Sequence, residues 1–560
     1  MIGLIEQAAS KGARLVVLPE MATTGYCFQG RDEISAMVEP VPGWTTERFS
    51  SAARKHGLHL VLGLPEVDPG TGIYYNSAVL IGPRGEIIGK YRKTHSFIDE
   101  TRWAKDGDLG IPVFETDLGR IAMLICMDAM YFEPARVAAL EGADVIALPT
   151  NWLGGQRPWY ARALENGVHF LAADRWGEER GTKFVGNSVI IDPDGKAAVR
   201  LPQGNGVITA EIDLEKARHK EYAGVGDRLG ERRPGEYHGV LVNSYLWGTP
   251  AAVAALPEKE SSVAVAQFEP VPGNVEANLA KLEALAESAL AEASSRGVKL
   301  DLLVFPELAP TGPVFGDEMK GLADPIPGRV TSWAAELAGR IGAHLIVGLA
   351  EAEGDRLYNS AIIAAPGEIC GLYRKVHLNE SDRIWASPGD LGFPTFDLPF
   401  GRAGLLIGSD LFFPESARCL AKAGCDLICA PSAWPWTESV FLWDERAHTN
   451  NVHLAVANQV GVPVPSPPYP QEVAMAGRSA VLGDLEQRER VVLENVGEGV
   501  ALGIINTANR RFCRQKELLR KLQPYWYDPI VRPRGSGAVP SFQSRPSSAA
   551  VARRGAGESD

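Results

Sequence analysis

Short runs of β-branched and aliphatic residues alternate with longer Ala-rich stretches along most of the chain. Runs such as ADVIALPT at 143–150 predict buried strands, because they are apolar on both faces. Stretches such as WTTERFSSAARKHG at 44–57 have helical spacing and end at a glycine, a common helix stop. PRG at 83–85 and DPDG at 192–195 predict hairpin turns. Together these patterns predict an α/β domain in which helices cover a mixed sheet.

The same pattern occurs twice along the chain. The recurring segments are SKGARLVVLPE at 10–20 with SRGVKLDLLVFPE at 295–307, HLVLGLPE at 59–66 with HLIVGLAE at 344–351, YNSAVLIGPRGEIIGKYRKTH at 75–95 with YNSAIIAAPGEICGLYRKVH at 358–377, GRIAMLICMD at 119–128 with GRAGLLIGSD at 401–410, and GADVIALPTNW at 142–152 with GCDLICAPSAW at 424–434. Because their order is kept, we expect two copies of one domain.

The repeat predicts the domain organisation. We expect a first domain over 1–241, a linker over 242–261, a second domain over 262–533 and a disordered tail over 534–560, rich in Ser, Pro, Gly, Ala and Arg. The second copy begins with a strand and a long helix, whereas the first copy starts at Met1 within the equivalent helix. A whole strand therefore has no counterpart in the first copy. Either another segment covers the exposed sheet edge, or the recorded start lies downstream of the true one.

Composition narrows the class of protein. The chain has 45% hydrophobic and 22% charged residues, which is an ordinary globular composition. Its 560 residues are too many for a single core. With 56 basic and 69 acidic residues, its net charge of -13 argues against nucleic acid as a partner. Seven unevenly spaced cysteines favour reduced thiols over a disulfide framework. Without a signal-peptide pattern or a membrane-spanning apolar run, we expect a soluble cytoplasmic protein that does not bind membranes.

Three reactive side chains follow predicted strands in the first copy. Glu20 follows RLVVLP, Lys93 follows EIIGKYR, and Cys126 ends the run IAMLI. Each is weak evidence alone, since a cysteine after an apolar strand is usually a core residue. Together they match what a thiol nucleophile needs, namely a base to take its proton and a positive group to stabilise the oxyanion.

On these residues the chain resembles the nitrilase superfamily of carbon-nitrogen hydrolases. LPE at 18–20, YRKTH at 91–95 and LICMD at 124–128 are similar to the family's Glu, Lys and Cys signatures, and the stretch over 162–188 is similar to its usual continuation. The resemblance covers nearly all of 1–241 and 262–533. It implies two tandem α-β-β-α sandwich domains packed as an internal pseudo-dimer, and it leaves further homo-oligomerisation open.

The resemblance also implies a role for each site residue. Glu20 would be the general base, Lys93 the oxyanion stabiliser, Cys126 the nucleophile, Glu100 a second carboxylate that orients the lysine or substrate, the Met127 amide a second oxyanion donor, and Tyr26, Asn151 and Trp152 pocket-lining residues. Attack on an amide would give a thioester acyl-enzyme, and attack on a nitrile a thioimidate. No metal or organic cofactor is needed.

The second copy departs from this pattern. It keeps Glu307 and Lys375, but Gly408 stands where the first copy has Cys126. Asp382 replaces the second glutamate. Ser409 lies one residue further along, so it should point away from this site. In a helix further along, Thr449 replaces Glu165. We therefore expect a catalytically silent domain that takes the place of a second subunit.

Several functions are compatible with this sequence. The favoured one is a cysteine-dependent hydrolase that converts a small-molecule amide to a carboxylic acid and ammonia through a thioester. A nitrilase is the first alternative, although Cys-Met-Asp at 126–128 is closer to the amidase-like branches than to typical nitrilases. A non-catalytic binding or regulatory protein is the second alternative. An acyltransferase is a third, since the acyl-enzyme is common to both reactions.

Overall fold

The computed structural model describes residues 1–242, 259–314, 316–461, 474–483, 490–507 and 519–534. Most of the predicted linker and all but the first residue of the predicted tail lie outside the described residues. The strand that opens the second domain begins at Glu260, within the last two residues of the predicted linker.

The first domain contains fourteen strands and seven helices within its described residues. The strands are β1 Leu15–Val17, β2 His59–Val67, β3 Tyr74–Ile81, β4 Ile87–Arg92, β5 Val113–Thr116, β6 Gly119–Met123, β7 Val145–Thr150, β8 His169–Asp174, β9 Trp176–Glu179, β10 Thr182–Val185, β11 Ser188–Ile191, β12 Ala197–Leu201, β13 Glu221–Tyr222 and β14 Gly226–Asp227. The helices are α1 Ile2–Ser10, α2 Arg31–Ile34, α3 Trp44–His56, α4 Phe132–Leu140, α5 Arg157–Asn166, α6 Leu214–Arg218 and α7 His238–Leu241.

The described part of the second domain repeats this order. Its strands are β15 Glu260–Gln267, β16 Leu302–Val304, β17 Asp324–Pro325, β18 His344–Glu353, β19 Arg356–Ala365, β20 Glu368–Arg374, β21 Thr395–Leu398, β22 Gly401–Leu405, β23 Leu427–Ser432, β24 His453–Asn458, β25 Ala480–Leu482, β26 Arg490–Val492 and β27 Gly499–Asn506. Its helices are α8 Val275–Ser295, α9 Asp317–Lys320, α10 Arg329–Ile341, α11 Pro414–Lys422 and α12 Phe441–Asn450.

Each domain is a sandwich of two sheets with helices outside. In the first domain the sheet orders are β1-β2-β3-β4 and β12-β11-β8-β7-β6-β5. Because side chains alternate along a strand, Leu60 and Leu62 of β2 pack with helices α1 and α3, whereas Val61 packs against the second sheet. Helices α4 and α5 cover the far side of that second sheet. The predicted α/β class and the tandem sandwich arrangement are confirmed.

The two domains differ at one sheet edge. In the second domain β15 lies between β16 and β27, giving a seven-stranded sheet. In the first domain β1 pairs with β2, and no described residue forms a strand on its other side. The segment 206–213, which aligns with β27, is not a strand. Among the described residues this edge of β1 is therefore unpaired, and Leu15–Val17 is only partly buried whereas Leu302–Val304 is fully buried.

Buried ion pairs connect the two domains. Arg136 Nε of α4 lies 3.0 Å from Glu415 Oε1 of α11, and Arg418 Nε lies 2.9 Å from Glu133 Oε1 in the reciprocal pair. Helix α7 of the first domain also packs on α11 of the second, and the turn Asp528–Val531 packs on α4. Corresponding elements therefore meet across the interface in both directions, as in an internal pseudo-dimer.

Candidate active site

Cys126 opens a 3-10 turn, Cys126–Met130, shortly after β6 ends. Its backbone has a φ of 45°, a left-handed conformation that is uncommon for a residue with a side chain. The equivalent Gly408 has a φ of 44°, so the second domain has the same backbone turn. Cys126 is only 6% exposed. The strained turn thus holds the thiol inside the domain.

Lys93 lies between two carboxylates in a buried cluster. Its Nζ is 2.8 Å from Glu20 Oε1 and 2.6 Å from Glu100 Oε1. Asn76 Nδ2 donates to the same two oxygens at 2.8 and 3.1 Å. The Tyr26 hydroxyl donates to Glu100 Oε1 at 2.8 Å. These side chains come from different strands and loops, and the fold brings them together beside Cys126.

Burial and mutual charge set the protonation of this cluster. Burial raises the pKa of Glu20 to about 7, Lys93 opposes the rise and Glu100 adds to it. Burial disfavours the charged form of Lys93, but Glu100 and Glu20 outweigh it, so the pKa of Lys93 lies well above its usual value. Burial and the neighbouring Glu20 raise the pKa of the Cys126 thiol, against the effect of Lys93. At neutral pH the resting site therefore holds a charged lysine and a protonated thiol, with Glu20 near its titration point.

The remaining predicted pocket residues take up different positions. The Asn151 backbone N–H donates to Glu20 Oε2 at 3.0 Å, and its side-chain Nδ2 donates to the Glu20 carbonyl at 3.1 Å. The Trp152 indole donates to the Gly155 carbonyl, and its backbone N–H donates to Asp174 Oδ1. Met127 is the second residue of the 3-10 turn and is half-buried. Tyr26 and Asn151 thus contact the carboxylates directly, whereas the polar atom of Trp152 is directed to its own loop.

Sequence reasoning missed several polar residues of this cluster. Asn76 bridges Glu20 and Glu100, and Asp128 accepts hydrogen bonds from Ile125 N–H and Tyr91 hydroxyl at 2.9 and 2.7 Å. A signal was available, because the asparagine of YNSA and the aspartate after the cysteine position recur in both copies. Polar residues kept in an otherwise apolar repeat are candidates for a buried network.

The second domain has the same cluster without the thiol. Lys375 Nζ lies 2.6 Å from both Glu307 Oε1 and Asp382 Oδ2. A Cβ added at Gly408 would collide with the Glu307 carboxylate and lie 3.4 Å from Lys375 Nζ. In the second domain, the position equivalent to Cys126 is therefore next to Glu307 and Lys375. Ser409 Oγ donates to the His377 carbonyl at 2.6 Å, so it is directed away from this cluster as expected.

Other features of the described chain bear on function classes. No helix in the described ranges is long and apolar enough to cross a membrane. Among the same residues, no group of three or more His, Cys, Asp or Glu is arranged to hold a metal ion. The six cysteines that the structure describes are free thiols.

Comparison with known proteins gives consistent matches. A sequence profile of the carbon-nitrogen hydrolase family matches residues 1–222 and 262–488. A nitrilase of Pyrococcus abyssi is 42% identical over 239 residues, which is 42% of this chain and 90% of that protein. A 2-oxoglutaramate amidase of Bacillus subtilis is 33% identical over 216 residues, 37% of this chain and 81% of its own length. The crystal structure of a carbon-nitrogen hydrolase from Helicobacter pylori G27 is 23% identical, with a TM-score of 0.44 over 49% of this chain and 99% of that one.

The tandem sandwich fold and the two profile matches define the class of protein as a hydrolase, and the buried Glu20, Lys93 and Cys126 form its candidate site. The chain belongs to the carbon-nitrogen hydrolase family, which confirms its resemblance to the nitrilase superfamily. It is an enzyme that acts on carbon-nitrogen bonds, and this decides against the non-catalytic alternative.

Proposed function

We propose that the first domain is an amidase that converts a small-molecule amide to a carboxylic acid and ammonia. The observation that carries this proposal is the buried Lys93 held between Glu20 and Glu100 beside the Cys126 turn. A lysine with its charge secured by two carboxylates can stabilise an oxyanion, while a glutamate with a pKa of about 7 can exchange protons at neutral pH.

In the first half-reaction the Cys126 thiol attacks the amide carbon. Its proton moves to Glu20 as the carbon–sulfur bond forms, because the raised thiol pKa disfavours a free thiolate beforehand. Lys93 has three N–H donors and directs two of them to carboxylates, so the third can donate to the developing oxyanion. Glu20 then passes the proton to the leaving nitrogen and the carbon–nitrogen bond breaks. Ammonia departs, and the acyl group remains on Cys126 as a thioester.

In the second half-reaction water replaces the thiol. Glu20 takes a proton from water while the water oxygen attacks the thioester carbon, and the carbon–sulfur bond then breaks. The Cys126 sulfur recovers a proton and the carboxylic acid departs. Glu100 keeps Lys93 charged and placed, the Met127 amide adds a second donor to the oxyanion, and Tyr26, Asn151 and Trp152 shape the pocket.

A nitrile is the second candidate substrate. The observation that favours it is the description of the Pyrococcus abyssi relative as a nitrilase. Addition of the Cys126 thiol across the carbon–nitrogen triple bond would give a thioimidate. One water would then release ammonia and leave the thioester, and a second water would release the acid. Both routes need the same three side chains.

The second domain is proposed to be catalytically silent. It has the charged cluster of Glu307, Lys375 and Asp382, but Gly408 cannot form a covalent acyl intermediate. Its proposed role is to cover the face of the first domain that a second subunit would otherwise cover.

The two copies supply matched variants for the test. Ammonia release from panels of amides and nitriles is measured for the parent, Cys126→Ala, Glu20→Gln and Glu307→Gln. We expect release by the parent and by Glu307→Gln, and loss of release in the other two, because only the first site carries the thiol. Amides are expected to be the productive panel. Release that survives Cys126→Ala, or an equal loss in Glu307→Gln and Glu20→Gln, would refute the proposal.

A further inference from the structure

We propose that Tyr527, a residue of the second domain, is a positioning residue for the active site of the first domain. It acts through His95 and Asp128, which hold the segments that carry Lys93 and Cys126. This inference rests on the proposed function of the first domain and adds to it a residue supplied across the domain interface.

Asp128 ties the two catalytic segments together. Its Oδ2 accepts from the N–H of Ile125, the residue before Cys126, at 2.9 Å. Its Oδ1 accepts from the N–H of His95, two residues after Lys93, at 3.0 Å. Both side chains, His95 and Asp128, are fully buried. A buried carboxylate that bonds both segments sets the distance between the lysine and the thiol.

Tyr527 is the hydrogen-bond partner of the ring nitrogen of His95 that faces away from Asp128. His95 Nδ1 lies 2.9 Å from Asp128 Oδ1, so this nitrogen carries the proton and donates it to the carboxylate. The other ring nitrogen, Nε2, lies 2.7 Å from the Tyr527 hydroxyl. The Gln523 backbone N–H donates to that hydroxyl at 3.0 Å, which directs the hydroxyl hydrogen towards His95. Each ring nitrogen of His95 and the Tyr527 hydroxyl then has a partner.

The residue comes from the other domain, and the exchange is reciprocal. Tyr527 directly follows the turn Pro524–Trp526 and is fully buried against the first domain. In the opposite direction the Tyr237 hydroxyl of the first domain contacts His377 Nε2. His377 Nδ1 in turn lies 2.8 Å from Asp410 Oδ1. The same contact therefore occurs twice, but only one copy lies next to a cysteine.

Loss of the Tyr527 hydroxyl would remove the partner of His95 Nε2 and with it one of the two ring contacts that fix the orientation of the imidazole. A ring that is free to tilt would hold its Nδ1 contact with Asp128 less well, and the link between the two segments would loosen. Since small displacements of reacting groups have large effects on rate, we expect kcat to fall about tenfold, with KM within about twofold. Because a smaller folded fraction would also lower the apparent kcat at constant KM, the comparison needs a variant with a matched loss of stability.

Tyr237→Phe is the matched control for Tyr527→Phe. Each removes one buried hydroxyl from the same interface, so both should lower the thermal midpoint to a similar extent. We expect kcat to fall in Tyr527→Phe only. Equal kcat values in the two variants, or a fall in Tyr237→Phe as large as that in Tyr527→Phe, would overturn the inference.

A substrate-independent measurement separates this inference from the proposed function. The rate of Cys126 alkylation by iodoacetamide is followed by mass spectrometry of the peptide that contains it. We expect Tyr527→Phe to slow it about fivefold and Tyr237→Phe to leave it within about twofold of the parent, because only the former displaces the thiol from its base. An unchanged or faster rate in Tyr527→Phe would contradict the inference. Absence of ammonia release by the parent would refute the hydrolase proposal alone.

Discussion

Asp174 offers the sharpest test of the electrostatics of this fold. Its Oδ1 accepts from the Trp152 N–H at 2.9 Å and the residue is 7% exposed. The second domain has Asn458 at this position. Asn458 Oδ1 accepts from the Trp434 N–H at 2.7 Å, and its Nδ2 donates to the Trp434 and Gly477 carbonyls. An amide therefore fits a site where the first domain has a carboxyl group.

The size of the effect follows from the pKa of the carboxyl group. Burial raises the pKa of Asp174 from 3.8 to about 8, and Glu20 adds to the rise while the Trp152 N–H opposes it. Because its folded-state pKa is above the unfolded value, the stability that Asp174 contributes is fully present below about pH 4 and is lost as the pH rises towards 8. Each pKa unit corresponds to about 1.4 kcal/mol. At pH 7 Asp174 is ionised in the unfolded chain but largely protonated in the folded one, which lowers the free energy of unfolding by about 4 kcal/mol.

Asp174→Asn should remove this cost. The free energy of unfolding of the parent and the variant is measured with urea at pH 4 to 9, with tryptophan fluorescence as the signal. We expect the variant's advantage to be small at pH 4, to grow by about 1.4 kcal/mol per pH unit and to level off above pH 8. Titrating groups that do not interact with Asp174 cancel, since only the difference between the two proteins is used.

The second domain supplies the reverse substitution as a control. Asn458→Asp should destabilise the protein, and more so at high pH, because it places a carboxyl group where Nδ2 donates to two carbonyls. A stability difference between the parent and Asp174→Asn that does not change with pH would refute the reasoning. A variant that is less stable than the parent at pH 8 would refute it as well.

Two further predictions concern the site and the interface. Because the pKa of Glu20 is about 7, kcat/KM for amide hydrolysis should fall about tenfold per pH unit below pH 7, and a profile that is flat down to pH 5 would contradict its role as base. Glu415→Ala leaves Arg136 and Arg232 buried without this carboxylate, so the free energy of unfolding measured with urea should fall by about 3 to 5 kcal/mol. An unchanged urea midpoint would show that the interface charges do not stabilise the tandem.

Much of the fold could be predicted from local pattern. Runs such as that of β7 are apolar on both faces, and the helix Trp44–His56 ends at Gly57 with a φ of 62°, as its sequence indicates. The repeat predicted the architecture, and Glu20, Lys93 and Cys126 could be singled out as candidates because each follows a strand. These features depend on short stretches of chain, which is why they can be recognised without the structure.

The contacts that depend on tertiary distance could not be predicted. Asp174 is an ordinary acidic residue in the sequence, and only its burial makes its charge costly. Tyr527 lies more than four hundred positions from His95, and no local pattern connects a C-terminal turn of one domain to a histidine of the other. Such contacts are set by how the sheets and domains pack.

The buried charges at the interface are balanced although the two domains differ in which positions carry the carboxylates. Where the first domain has Glu165 the second has Thr449, which removes one carboxylate from the buried contact between α5 and α12. The second domain has Glu445 where the first has Ala161, so each buried arginine there still has a partner. Arg162 Nη2 lies 2.9 Å from Glu445 Oε1, and Arg446 Nη2 lies 2.9 Å from Glu165 Oε2.

Two arginines facing one carboxylate would leave a buried charge without compensation, which is strongly destabilising. Because Glu445 supplies a carboxylate where Thr449 does not, that imbalance is avoided. In the second domain the buried charges of this contact are balanced while the reactive thiol is absent. A domain that serves to bury a surface of its neighbour, and to supply residues such as Tyr527 to it, is expected to show this combination.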